Sequence, residues 1–184
     1  VRKGEVIGLA GLLGAGKTEL VQAIFGNHKV TDGEILIKGK PVKIKSPQQA
    51  IKLGMGLVPD ERRTLGLVMK FDIKDNTVLP SMKLFRKAGV FQDHKAEMKA
   101  AYEINEKMNL AYHSLWQNVK KLSGGNQQKI VIAKWMLRDT EIFLLDEPTR
   151  GIDIGAKFEI YNLIHELTKQ KKAVILVSPE MEEL

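Results

Sequence analysis

Gly11, Gly16, Lys17 and Thr18 stand in the stretch "GLLGAGKT" at the spacing G-x-x-x-x-G-K-T. Glycines so placed let successive backbone N–H groups turn toward one anion, so Gly14, Ala15, Gly16 and Lys17 can wrap a phosphate. The Lys17 ammonium would then bridge β- and γ-phosphate oxygens, and the Thr18 hydroxyl would ligate Mg²⁺. A second candidate closes the apolar run "IFLLDEP". Asp146 stands at the tip of that run, where open α/β sheets keep their ligands, and is the expected partner of Thr18 on the metal. Glu147 follows and can polarise an attacking water as general base. A third stretch, "LSGGNQQK" from Leu122 to Lys129, opens a helix with the Ser123 hydroxyl and the N–H groups of Gly124 and Gly125, the makings of another phosphate site. One nucleotide needs one phosphate loop. A second grip on the same small chain is accounted for if two such domains pair head to tail and each completes the other's site.

These residues need a scaffold of strands and helices, and the hydrophobic pattern supplies one. "EVIGLAG" reads as a short strand running into the glycine loop, and "TELVQAIFG" as the helix after it, stopped by Gly26 and Asn27. "GEILIKGKPVKI" alternates like a β-ribbon about a Gly-Lys turn. "SPQQAIKLG" predicts a helix with Ser46 as N-cap, Pro47 in its first turn and Gly54 as its stop. "MGLVP" is a second short strand, and "TLGLVMKFDIKDNTVLPSM" reads as mixed and loop-like. Ala96, Ala100, Ala101, Ile104 and Met108 form one face of an amphipathic helix from Asp93 to Leu110. "NQQKIVIAKWMLRD" predicts a helix with Ile130, Ala133, Trp135 and Leu137 on its apolar side. "EIFLLDEP" and "AVILVS" are runs of the buried parallel type, separated by the amphipathic "GAKFEIYNLIHELTKQKK".

Strands alternating with helices give an α/β fold with a mostly parallel sheet, a small β-ribbon and an inserted helical subdomain. The expected division is a discontinuous core at 1–65 and 122–184, interrupted by a helical subdomain at 66–121. Both ends read as cuts from a longer polypeptide, since the chain begins on a strand and stops within a helical pattern. At 184 residues and 43% hydrophobic content the chain can bury one good core with a small appendage. It has no cysteine, which removes disulfides and thiolate metal sites. No apolar run approaches the roughly 18 residues of a membrane helix. The net charge of +7 keeps nucleic acid, an anionic surface and polyphosphates in play, but the lysines are spread and aromatics are only 6%, too few for a base-stacking face. His28, His94, His113 and His165 lack a second ligand at metal spacing and read as surface histidines. Trp116 and Trp135 read as packing residues.

The first two motifs together indicate a P-loop NTPase. With "LSGGNQQK" added, the sequence resembles the ATP-binding-cassette (ABC) ATPases, in which that stretch is the signature motif. "GLLGAGKTEL", "GLVPDERRTLGL", "LSGGNQQKIVIAKWML" and "LLDEPTRGIDIGAKFEIYNLI" are similar to the carboxy-terminal nucleotide-binding half of tandem bacterial sugar importers of the ribose, galactose and xylose type. The resemblance implies an ATPase that uses ATP and Mg²⁺ at the cytoplasmic face of a membrane. Its partners would be a second nucleotide-binding domain, permease subunits and, indirectly, a periplasmic sugar-binding protein. Ser123 and Gly125 would reach the γ-phosphate held by the other domain, and Asp153 in "TRGID" would lie at the seam. No nucleic acid is expected, although a soluble ABC-type ATPase acting on nucleic acid or the ribosome stays as the alternative.

Two positions depart from the family pattern. Where many ABC ATPases have a glutamine after the ribbon's following strand, this chain has "VPDERR", Pro59 to Arg63. Where many have a histidine after the last strand, "VSPE" puts Pro179, which has no donor for a γ-phosphate. The site built on Lys17 and Asp146 is therefore expected to bind more than it hydrolyses. The aromatic that stacks on adenine in this family falls upstream of Val1.

Overall fold

The computed structural model describes residues 1–12, 14–87 and 91–183. Elements are numbered in chain order, and the chain divides into two compact units. The first comprises Val1–Leu57, Thr140–Glu147 and Leu167–Leu184; the second comprises Val58–Asp139 and Pro148–Glu166.

The first unit is built on a four-stranded sheet in the order β1-β8-β7-β4, from β1 (Val6–Leu9), β4 (Met55–Val58), β7 (Ile142–Asp146) and β8 (Ala173–Val177). β1 runs parallel to β8 with Val6 opposite Val174, and β7 runs parallel to β8 with Asp146 opposite Val177. β7 is central, which explains why its apolar run does not alternate: Phe143, Leu144 and Leu145 are fully buried on both faces. β1 lies at the edge and leaves Val6 and Ile7 exposed. The parallel pairing carries both β1 and β7 toward the same end of the sheet. There the glycine loop leads into α1 (Lys17–Phe25), and Asp146 ends its strand.

Gly26 stops α1 in the left-handed conformation at φ +84°, and a Cβ there would come within 2.8 Å of the Ser46 carbonyl carbon. The ribbon forms from β2 (Ile35–Ile37) and β3 (Lys40–Val42), antiparallel, but its turn is Lys38–Gly39, one residue before the expected Gly39–Lys40, because Lys40 already pairs with Ile37. Both turn residues have positive φ, the geometry a tight two-residue hairpin requires. α2 (Pro47–Lys52) starts after Ser46, whose side chain makes no capping hydrogen bond; Pro47 fixes that helix start instead.

The second unit holds α3 (Ile73–Val78), the two-residue strands β5 (Arg86–Lys87) and β6 (Phe91–Gln92), α4 (His94–Lys107), α5 (Gly124–Leu137) and most of α6 (Ile154–Lys169). Three expectations are corrected here. The stretch from Thr64 to Met82 is not loop-like: α3 lies within it, capped by the Asp72 carboxylate accepting from the Asp75 N–H. α5 has no exposed face over most of its length. Gln127, Gln128, Lys129 and Lys134 are buried along with Ile130, Ala133 and Trp135, while Leu137 is only half-buried. Trp135 packs inside as expected. Trp116 does not: it is exposed, with the Lys74 ammonium 5.7 Å from its ring centroid.

Lys134 is the costly residue in α5. Its ammonium donates to the Gly66 carbonyl, yet burial pushes its pKa down to about 8. A lysine whose folded pKa is depressed is penalised below that value, and the penalty fades as pH rises toward the unfolded value near 10.4. Stability in urea is therefore expected to rise between pH 8 and pH 10. Lys134→Met should remove that rise and add up to roughly 3 kcal/mol at pH 7. An identical pH slope for both proteins would show that Lys134 does not carry it.

Candidate functional site

The first grip belongs to the first unit. Gly14 and Gly16 sit at φ +79° and +83°, left-handed geometry that a side chain resists, and both open onto free space. The loop closes on itself where the Ala15 N–H donates to the Leu12 carbonyl at 3.1 Å. Gly16 caps α1, so the unsatisfied N–H groups and the positive dipole end of that helix add to the loop's own amides. The Lys17 ammonium donates to the carbonyls of Gly11 and Leu12 at 2.6 and 2.9 Å, which folds it over the loop it would share with a phosphate.

Thr18 and Asp146, 128 residues apart in sequence, are brought together, with Oγ1 donating to Oδ1 at 3.2 Å. Two oxygens on adjacent corners of a Mg²⁺ octahedron stand about 3 Å apart, so this hydroxyl and carboxylate fit as neighbouring ligands of that ion. Among the described residues no cluster of three histidines or acids forms a metal cage. Mg²⁺ does not need one, because phosphates and waters complete its shell. Asp146 is fully buried, and Glu147 beside it is half-buried. Glu147 holds a left-handed backbone at φ +43°, secured where its N–H donates to the Val177 carbonyl at 2.9 Å. A non-glycine residue in that region costs on the order of 1 kcal/mol, and such strain gathers at working sites.

The second grip, Ser123, Gly124 and Gly125, belongs to the second unit, as does Asp153. Ser123 is the exposed N-cap of α5, and its Oγ accepts from the Asn126 backbone N–H at 3.3 Å and from Asn126 Nδ2 at 3.1 Å. With both lone pairs engaged, its O–H remains as a donor for an anion. Gln127 Nε2 ties the motif to the preceding turn by donating to the carbonyls of Val119 and Leu122. Buried Lys129 reaches the Asn109 carbonyl and Glu159, each at 2.8 Å. Asp153 accepts from the Ala156 N–H at 2.9 Å at the start of α6.

Gly125 is held to glycine by packing, not by its backbone angles: a Cβ there would stand 2.5 Å from the Ala156 Cβ. Gly125→Ala is expected to force α5 off α6 and cost about 1–3 kcal/mol of stability, measured by urea unfolding. A midpoint equal to the parent's would mean the two helices have room to spare.

One neighbourhood carries no motif in the sequence. Arg62, in the charged run after β4, donates through Nη1 to the Arg150 carbonyl at 2.7 Å and through Nη2 to the Gly151 carbonyl at 3.0 Å. Arg150 answers with an ion pair to Asp60 at 3.0 Å. Burial lowers the pKa of Arg62, and Arg63 lowers it further, against a raising effect of Glu61. Arginine does not lose its proton in proteins, so the guanidinium keeps its charge. The only signal in the sequence was the density of charge in "DERR" beside a second arginine in "TRGID". After β8, Ser178 Oγ donates to Glu183 at 2.6 Å, and Pro179 is exposed.

Comparison with known proteins places these sites in context. The profile of the ABC transporter family matches residues 1–150. The chain is 43% identical over all 184 residues to a putative ribose/galactose/methyl galactoside import ATP-binding protein of Albidiferax ferrireducens, and 46% identical to one of Geobacillus kaustophilus. It is also 46% identical to a ribose import ATP-binding protein of Lactococcus lactis subsp. cremoris. It spans 36 to 37% of the length of these relatives. Among solved structures, a nucleotide-free ATP-binding cassette from an ABC transporter matches 99% of the chain, and 73% of its own length, at TM-score 0.81 and 20% identity. A dimeric cassette bound to ADP and Pi after hydrolysis matches the whole chain, and 78% of its own length, at 0.81 and 24%. At those identities the likeness speaks for the fold, an α/β cassette with a parallel sheet.

Proposed function

The chain belongs to the ABC transporter family, and we propose that it is part of the ATP-binding and ATP-hydrolysing subunit of an importer that couples ATP hydrolysis to monosaccharide uptake through a separate permease. The observation that carries this reading is the pair of grips. A loop with Lys17, Thr18 and Asp146 lies in one compact unit and an intact Ser123–Gly125 helix cap in the other. The relatives' names support a sugar as cargo.

In this reading the amides of Gly14, Ala15, Gly16 and Lys17 bind the terminal phosphates, with Gly11 opening the loop, and Lys17 exchanges its two carbonyl partners for phosphate oxygens. Thr18 and Asp146 hold Mg²⁺, which when bound neutralises charge on the β- and γ-phosphates. Glu147 orients the attacking water and accepts its proton. Ser123, Gly124 and Gly125 close on the γ-phosphate of a second nucleotide-binding domain, with Asp153 at the seam. That closure drives the permease through the helical subdomain at 66–121, while 1–65 and 122–184 form the ATPase core. The assembly lies on the cytoplasmic face of the membrane, peripherally, and among the described residues no helix is long and apolar enough to cross it. A periplasmic sugar-binding protein delivers the cargo, and nucleic acid plays no part.

Reconstitution tests the proposal. The full-length protein, placed with its permease and sugar-binding protein in sealed vesicles, is expected to accumulate a pentose or hexose only when supplied with ATP and Mg²⁺. Absence of uptake together with RNA binding that weakens steeply with salt would overturn it in favour of a nucleic-acid role.

A further inference from the structure

We propose that Arg62 is a positioning residue that locks the Arg150–Asp153 turn and the Ser123–Gly125 cap into one piece, so that the elements the chain presents to a neighbouring nucleotide site move together. The guanidinium spans two successive carbonyls of the turn, at 2.7 and 3.0 Å, in the planar forked geometry that arginine offers and lysine does not. The same Nη2 would stand 2.9 Å from a Cβ on Gly124, and the Gly151 carbonyl 3.3 Å from it. Gly124 is thus the point where Arg62, the turn and the N-terminus of α5 converge. A β-carbon on Gly124 would push the guanidinium away, so the glycine at this position serves the arginine as well as any ligand.

The placement is electrostatically unfavourable for the helix. A cation at the N-terminus of α5 faces the positive end of the helix dipole, where acids are favoured. Arg62 also keeps its Nε buried without a hydrogen-bond partner among the described residues. A guanidinium retained at the wrong end of a dipole, with one donor unused, is poorly explained as a helix stabiliser. It is well explained as a brace for a surface that receives an anion, since the helix end and the cation then act on the anion with the same sign. The Asp60–Arg150 ion pair extends the brace on its exposed side.

This inference rests on the reading of Ser123–Gly125 as a contribution to a partner's site, and the test separates the two. ATP turnover and ATP binding are measured on the full-length protein reconstituted with its permease, for Arg62→Ala, Arg62→Lys and Ser123→Arg. Arg62→Ala is expected to lower kcat by about 10- to 100-fold, the scale of a misplacement near 1 Å, with ATP binding at the Lys17 site unchanged. Arg62→Lys should regain part of that loss, because an ammonium still reaches one carbonyl. Equal falls of kcat and bound ATP would mark a merely structural role and overturn the proposal. So would an Arg62→Lys variant no better than Arg62→Ala, which would assign the loss to missing volume. If Ser123→Arg abolishes turnover while Arg62→Ala leaves kcat intact, this proposal fails alone. If Ser123→Arg leaves turnover intact, the paired-site reading fails and takes this one with it.

Discussion

Ser123→Arg in the full-length protein with its permease is expected to lower ATP turnover by about 10²- to 10³-fold, the usual loss when a preorganised donor at a reacting phosphate or oxyanion is removed. The side chain is exposed at the start of α5, so arginine has room and the fold should hold. The capping bond from the Asn126 N–H would be lost, at about 1 kcal/mol. That is far less than the catalytic effect, and thermal melting would separate the two. The bulk and charge would fall where the neighbouring domain's phosphate should dock. ATP bound by Lys17 and its loop should be retained, because that loop lies in the other compact unit. Turnover and uptake at the parent's level would contradict the idea that the cap serves another site.

Glu147→Gln should act on the other side of the exchange. Glutamine keeps the size and the left-handed backbone but cannot accept the proton of an attacking water. General-base loss costs roughly 10²- to 10⁴-fold at the site concerned. The variant should therefore retain ATP longer than the parent does, seen as longer-lived radiolabelled ATP on the washed complex. Its effect on total turnover should be smaller than that of Ser123→Arg, since Pro179 leaves the site built on Lys17 and Asp146 without a histidine donor. Equal losses from the two substitutions would count against any such asymmetry, and rapid loss of the label would remove Glu147 from the role.

Much of this was legible in the sequence because the relevant signals are local. The phosphate-loop glycines sit at φ near +80°, a conformation glycine adopts freely, and Gly39 marks the ribbon turn to within one residue. β7 and β8 read as buried strands because a central parallel strand is apolar on both faces. What the sequence concealed was tertiary. α3 looks like a loop because its buried positions include Lys74, Asn76 and Thr77, each with a partner outside the helix: Asn76 bonds Val68, Thr77 accepts from Asn105 and Lys74 pairs with Glu97. α5 looked one-sided because periodicity cannot register a buried Gln127 satisfied by carbonyls before the motif. Arg62 looked like one charge among several, since an arginine's acceptors here are main-chain oxygens 88 and 89 residues away.

The backbone of Glu147 sets two kinds of selection against each other. Its left-handed conformation is one that glycine adopts freely, so a library screened only for resistance to heat or protease should enrich glycine at this position. A library screened for growth on a transported sugar should keep the acid. Opposite enrichment in the two libraries would show thermal robustness and work done per nucleotide competing for one position.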